Sequence, residues 1–250
     1  MKILLRLISK LVFVILFVIA FFNNLNAQEK YKQSSLEVIK LINESQNVYS
    51  ANDELINGCV YPLPNSRRQG DPYLKDQWTE ASIYIKNNKY TKLFIKFDLV
   101  LGDVILKAEL NDGVIKLVNL NKFQVDSFLI GNTLFVNSNN LSIDKKKITY
   151  LEQIYKGRYS LYKEYKKIFI KEYNNITPYG KYSSLKTDLY FIENDTPVNV
   201  DRKSSFLKNF GTERQNEIKS FMKKNKIKYS KASNQELIKL MIFCTNTSAN

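Results

Sequence analysis

Between residues 79 and 200 the chain switches sides with almost every residue. In 79–85, Ala81, Ile83 and Ile85 fall on one face and Glu80, Ser82 and Tyr84 on the other, the period of a half-buried strand. Comparable stretches follow at 93–101, 104–110, 114–120, 124–130, 133–137, 148–155, 159–171, 182–192 and 198–200. Turn residues separate them: Asn87-Asn88, Lys156-Gly157, Asn194-Asp195-Thr196-Pro197, and Asp112-Gly113, a pair suited to the positive φ angles of a two-residue hairpin. Turns this closely spaced, with no helix between them, predict an antiparallel meander and not βαβ units.

Helical spacing is confined to the two ends. In 35–44, Leu36, Val38, Ile39, Leu41 and Ile42 recur at helical intervals behind Ser34 and Glu37, a capping-box pair. Residues 50–74 have three of the five prolines and no period, which reads as an irregular segment laid over something else. At the other end, 203–210 makes an amphipathic turn or two stopped by Gly211. Thr212 with Gln215 caps a helix bearing Ile218, Phe221 and Met222; Ser233 with Glu236 caps another bearing Leu237, Leu240, Met241 and Cys244. The expected fold is α+β: an antiparallel multi-stranded β-sheet meander, as an open sheet or partial barrel, with one N-terminal helix and two to three C-terminal helices covering it.

The first 27 residues stand apart. Lys2, Arg6 and Lys10 lead into an unbroken apolar run at 11–22, followed by Asn23-Asn24-Leu25-Asn26-Ala27. As a helix that run reaches about 18 Å, too short for a hydrocarbon core of ~30 Å. It reads as a cleavable signal peptide cut before Gln28, which leaves a mature chain with no transmembrane anchor in the periplasm or outside the cell, outer-membrane association included. Residues 28–250 then form a single α+β domain: helix plus irregular segment at 28–77, β meander at 78–200, helices at 203–245.

Charge narrows the partners. The chain has a formal net charge of +14, which falls to +11 without Lys2, Arg6 and Lys10, but 32 of its 38 basic residues are lysine and six are arginine. Arginine supplies the bidentate phosphate and guanine contacts of nucleic-acid recognition, so no nucleic-acid partner is expected. Solvated surface lysine, or attraction to envelope polysaccharide or lipid, accounts for the excess. Two cysteines, Cys59 and Cys244, enter a compartment where disulfides persist; they form a bridge or two buried free thiols. With no histidine and no C-x-x-C, neither a metal nor another cofactor is expected.

The same absence of histidine removes Ser-His-Asp and Cys-His catalysis within the chain. Five serines match S-x-x-K, but composition alone gives about two and no K-T-G follows. Paired carboxylates remain, drawn from Asp71, Asp76, Glu80, Asp98, Asp103 and Asp126, since a glycosidase needs two acids roughly 5 to 10 Å apart. Aromatics offer another direction: Tyr155, Tyr159, Tyr162, Tyr165 and Tyr173 crowd one hairpin with Lys156, Lys163, Lys166 and Lys167. On an exposed sheet face they form a basic stacking platform for sugars or acidic polymers; packed inward they are ordinary strand aromatics.

Gly70-Asp71-Pro72-Tyr73-Leu74 leading into Asp76-Gln77-Trp78, then Val125-Asp126-Ser127-Phe128, Tyr155-Lys156-Gly157 before Ser160-Leu161, and Lys203-Ser204-Ser205-Phe206-Leu207 ahead of a Lys-rich helix resemble a group of uncharacterised exported proteins of Bacteroidetes-type Gram-negative bacteria. The resemblance implies export and a β-rich body, and brings no assigned activity and no catalytic residue. The resulting expectation is an exported cell-envelope binding or interaction module that is non-catalytic, engaging an envelope polysaccharide, lipid or protein. Its binding residues would be Tyr155, Tyr159, Tyr162, Lys163, Tyr165 and Lys166, and the alternative is a carboxylate-dependent, glycosidase-like hydrolase.

Overall fold

The structure, a computed structural model, describes residues 59–86, 88–109, 113–143 and 148–246. The signal peptide at 1–27, the 35–44 helix, Asn87, Asp112 and the Lys145-Lys146-Lys147 cluster lie outside the described residues. Among the described residues the strands are β1 (Cys59–Val60), β2 (Thr79–Ile85), β3 (Asn88–Asp98), β4 (Asp103–Glu109), β5 (Ile115–Asn119), β6 (Val125–Ile130), β7 (Thr133–Asn137), β8 (Tyr150–Tyr155), β9 (Ser160–Lys166), β10 (Phe169–Ile170), β11 (Lys181–Tyr182), β12 (Lys186–Glu193) and β13 (Thr196–Asn199). Eleven of them form one antiparallel sheet in the order β1-β5-β4-β3-β2-β6-β7-β8-β9-β12-β13, while β10 and β11 pair separately. Sequence neighbours pair almost throughout, as a meander requires.

The sheet is open but strongly curled. In a flat sheet β3 and β8, four positions apart, would stand about 19 Å from one another at the usual strand spacing. Yet the Phe97 ring of β3 lies 5.8 Å from Tyr150 of β8 and 5.9 Å from Phe135 of β7. Phe128 of β6 completes the group, 5.4 Å from Phe97 and stacked at 4.8 Å on Phe135. The inward side chains of β2 to β8, among them Ile83, Ile95, Leu106 and Val118, close around these rings as one buried cluster.

Beyond β8 the same face stays open and is covered by helices α1 (Lys203–Leu207), α2 (Thr212–Lys224) and α3 (Asn234–Asn246). Leu161, Phe191 and Val200 of the sheet side pack there against Phe206, Ile218, Leu237, Leu240 and Met241. The Ser233–Glu236 capping box forms as the spacing predicts: the Glu236 amide donates to Ser233 Oγ and the Ser233 amide to Glu236 Oε2 at 2.7 Å. Thr212 does not cap α2; it is the first helical residue behind Gly211, and Gln215 Nε2 donates to the Phe210 carbonyl instead. Among the described residues, no helix is long and apolar enough to cross a membrane.

Several boundaries differ from the periodic reading. Strand β3 starts at Asn88, opposite Ile85, so the hairpin turns at Lys86, whose φ is 53°, and not at Asn88. The alternation breaks at Lys92, φ 58°, where β2 and β3 slip register between Ala81 and Ile83, a bulge that hid the first half of the strand. The stretches 159–171 and 182–192 each divide in two. The chain leaves the main sheet after Lys166, and β10 and β11 instead pair beside the irregular segment. Gln69 bridges Lys181, Arg68 lies 4.3 Å over the Phe169 ring, and Arg67 donates to Tyr179.

The two cysteines are both free, Cys59 exposed and Cys244 fully buried. Cys59 sits in β1 at the sheet edge, whereas Cys244 sits in the helix-covered cluster at the opposite half, so a bridge has no geometry to form. Burial pushes the Cys244 thiol up to about 12. A thiol reagent is therefore expected to titrate one cysteine in the folded protein and two after denaturation. The curl also gives a paired stability test. Phe97→Ala should cost about 3–5 kcal/mol in urea unfolding. Phe94→Ala, three residues away on the outer face and 48% exposed, should cost within about 0.5 kcal/mol.

Candidate functional site

Two cavities of similar size lie on opposite faces of the sheet. The inner one, about 350 Å³, opens at the end of the curl where β2 begins and β6 ends, over Ile95, Phe97, Ile130 and Phe135. The outer one, about 360 Å³, is a groove across β6, β7, β8 and β9, with Leu134, Val136, Tyr162 and Ile192 among its walls.

The six residues expected to make one exposed Tyr/Lys platform are divided between these faces. Successive side chains of a strand point to opposite sides, so β9 sends Tyr162 and Lys166 outward and Lys163 and Tyr165 inward. Tyr159 is buried in the helix-covered cluster between Phe191 and Phe210, with ring centroids at 5.3 and 5.5 Å. Tyr155 is half-buried against the same cluster. Lys166 ion-pairs with Asp188 and, at 3.1 Å, with Glu164. Only Tyr162 reaches the outer groove and only Tyr165 the inner cavity. A single exposed platform thus does not form.

At the inner cavity the polar groups are tied to one another. Glu152, 5% exposed, accepts from the Tyr165 hydroxyl at 2.6 Å and from Asn234 Nδ2 at 2.7 Å. Lys163 Nζ in turn donates to Asn234 Oδ1. Burial pushes the Lys163 ammonium below its ordinary value, with the Glu152 charge opposing. This chain links the sheet to the first residue of α3 and leaves one carboxylate at the cavity.

The outer groove is the reverse. Asp126, Ser127, Gln153, Lys156, Ser160 and Asp195 line it, and none of their side chains is held by a hydrogen bond or ion pair from another described residue. The Tyr162 hydroxyl has no such partner either, although the residue is 4% exposed. Gln153 and Tyr162 lie directly opposite across β8 and β9, so they form a fixed pair on the groove wall. These side chains together can donate and accept several hydrogen bonds over an apolar base.

The acidic candidates separate in the same way. Asp98 and Asp103 face each other across the β3–β4 hairpin, but each serves the fold. Asp98 Oδ1 accepts from the amides of Val100 and Leu101, both at 2.8 Å, and its Oδ2 accepts from the Tyr61 hydroxyl at 2.8 Å, which closes the turn. Asp103 accepts from Asn119 Nδ2 and faces Lys122. Asp71 pairs with Lys167 at 3.0 Å and Asp76 with Lys96 at 2.6 Å. Asp126 alone of the six candidates, Glu80 included, lines either cavity, and its companion there is Asp195, in the β12–β13 turn. In the sequence Asp195 reads only as turn; that turn reaches the groove through the pairing of β12 with β9.

The chain matches no known protein family, no curated protein sequence and no solved structure.

Burial raises the Asp98 pKa, partly offset by its hydrogen bonds from Leu101, Tyr61 and Val100. The folded state therefore keeps this proton over a pH range in which the unfolded chain has lost it, and the stability due to Asp98 falls as pH rises through that range. Asp98→Asn lacks this titration. In urea unfolding, wild type should gain stability relative to Asp98→Asn as pH falls from 7.5 to 4.5; a gain in the other direction contradicts the assignment.

Proposed function

We propose that the chain is an exported, non-catalytic binding module of the cell envelope that takes a hydroxyl-rich ligand, an envelope glycan, in the outer groove. The observation that carries this reading is the unspent hydrogen-bonding capacity of Asp126, Ser127, Gln153, Lys156, Ser160, Tyr162 and Asp195 around one groove. The Tyr162 hydroxyl sits on a side chain that is otherwise buried, and a hydrogen bond to it contributes a net of about 0.5–1.5 kcal/mol. A sugar supplies alternating donors and acceptors for these groups and an apolar ring face for Leu134, Val136 and Ile192.

Local charge refines the ligand class. Two carboxylates and one ammonium line the groove, so it is acidic on a chain whose formal charge is +14. Like charges oppose each other at a desolvated contact, which favours neutral or amino sugars over acidic polymers. Export to the envelope, the compartment where such glycans occur, rests on the signal-peptide pattern at 1–27 and on the resemblance to exported proteins.

The two carboxylates also support a second reading, hydrolysis with Asp126 and Asp195 as the acid pair. Binding is preferred because Asp195 is exposed in a turn, whereas a general acid gains its raised pKa from burial. Calorimetric titration of the purified protein with N-acetylglucosamine oligomers and with extracted envelope polysaccharide separates the readings. Binding is expected without cleavage by mass spectrometry, and Gln153→Ala and Asp126→Asn should each weaken it roughly 5- to 30-fold. No heat with any glycan ends the binding reading, and product release that Asp126→Asn abolishes replaces it with the hydrolase.

A further inference from the structure

The inner cavity has a composition unlike that of the groove. Its floor is Ile95, Phe97, Ile130 and Phe135, and Leu74 of the irregular segment packs into the same buried cluster. Its carboxylate is already satisfied by Tyr165 and Asn234, and Asn234 by Lys163. What this cavity presents to a guest is mainly hydrocarbon, at a volume near the lower end of small-molecule sites, which span roughly 300–1,000 Å³. Such a space attracts an apolar guest, which leaves water and gains dispersion contacts with the walls.

The surroundings of the mouth add a sign. Lys75 lines the rim, is exposed, and has no hydrogen bond or ion pair with any described residue. The segment at 167–185, whose Leu185 is itself on the cavity wall, exposes Ile168 at 60%, Tyr173 at 63% and Ile176 at 85%. Lys171 in that segment is likewise exposed and unpaired, and Arg67 and Arg68 pack on its Tyr179 and Phe169 rings. An apolar cavity with an exposed cation at its rim, walled in part by Leu185 from a segment that exposes apolar residues and cations, matches the two ends of a single-chain anionic amphiphile.

We infer that the inner cavity is a binding site for the hydrocarbon chain of a single-chain anionic amphiphile such as a fatty carboxylate, with its head at Lys75. The chain lies over Phe97 and Phe135, inside the curl, and the carboxylate stays at the rim, away from the Glu152 charge. The volume admits one chain. This site is independent of the outer groove, being on the other face of the sheet.

The test uses delipidated full-length protein, the fluorescent fatty acid cis-parinaric acid as probe, and dodecanoate and dodecanol as competitors. Saturable binding of one probe per chain is expected. Thr133→Trp, which fills the cavity from β7, should weaken probe binding at least tenfold. Lys75→Glu, a surface change, should weaken competition by dodecanoate about tenfold and leave dodecanol unchanged. Gln153→Ala, in the outer groove, should bind the probe as wild type does, so a failure here is separable from a failure of the glycan reading. The inference is overturned if wild type shows no saturable binding, or if a folded Thr133→Trp binds as wild type does. Should Thr133→Trp not fold, equal loss or equal retention of both competitors in Lys75→Glu overturns it.

Discussion

Four aromatic rings set the form of this protein. Phe97, Phe128, Phe135 and Tyr150 come from four strands, and their edge-to-face and stacked contacts require strands that are distant in the sheet to approach within one ring's width. A flat meander would leave these rings in water, so burying them and curling the sheet are the same event. The Tyr150 hydroxyl shows how strongly ring packing prevails, because it is buried within this cluster without a hydrogen-bond partner. Both cavities follow from the curl: the inner one is its unfilled end, and the outer one is the groove on its convex side.

The helices answer a different need. From β9 onward the inward face has no opposite wall of its own sheet, and α1 to α3 supply one with Phe206, Ile218, Leu240 and their neighbours. The junction between the two halves is polar. Glu152, Tyr165, Lys163 and Asn234 connect β8 and β9 to the start of α3 at the place where curl gives way to helix cover. A buried carboxylate is tolerated there because both of its oxygens are hydrogen-bonded.

Much of the fold was legible in the chain. Most strand positions, the antiparallel class of the sheet, the C-terminal helices and the Ser233–Glu236 cap follow from local spacing, since period and capping are properties of neighbouring residues, whereas the pairing of β2 with β6 does not. What local reading missed is where a strand is interrupted by a force from elsewhere. Lys92 breaks the alternation of β3 with a bulge, and the 159–171 stretch ends early because Arg67, Arg68 and Asp71 draw the following residues onto the irregular segment. In the tyrosine and lysine hairpin the density of these residues is visible in the sequence, and their division between faces is not. Its alternation implies two faces, but nothing local tells which face is covered, and so nothing local separates Tyr159, which is core, from Tyr162.

By itself, then, the sequence determined the class of elements, their order, the absence of histidine chemistry and the pattern of an export signal. These depend on residue type and on spacing of a few positions. Tertiary structure alone decided that Asp126, Gln153, Tyr162 and Asp195 share a groove, that Asp98 is committed to a turn, and that Cys59 and Cys244 stay apart. Each of those is a juxtaposition of residues many positions distant, created when the aromatic cluster curls the sheet and gives every strand an inside and an outside.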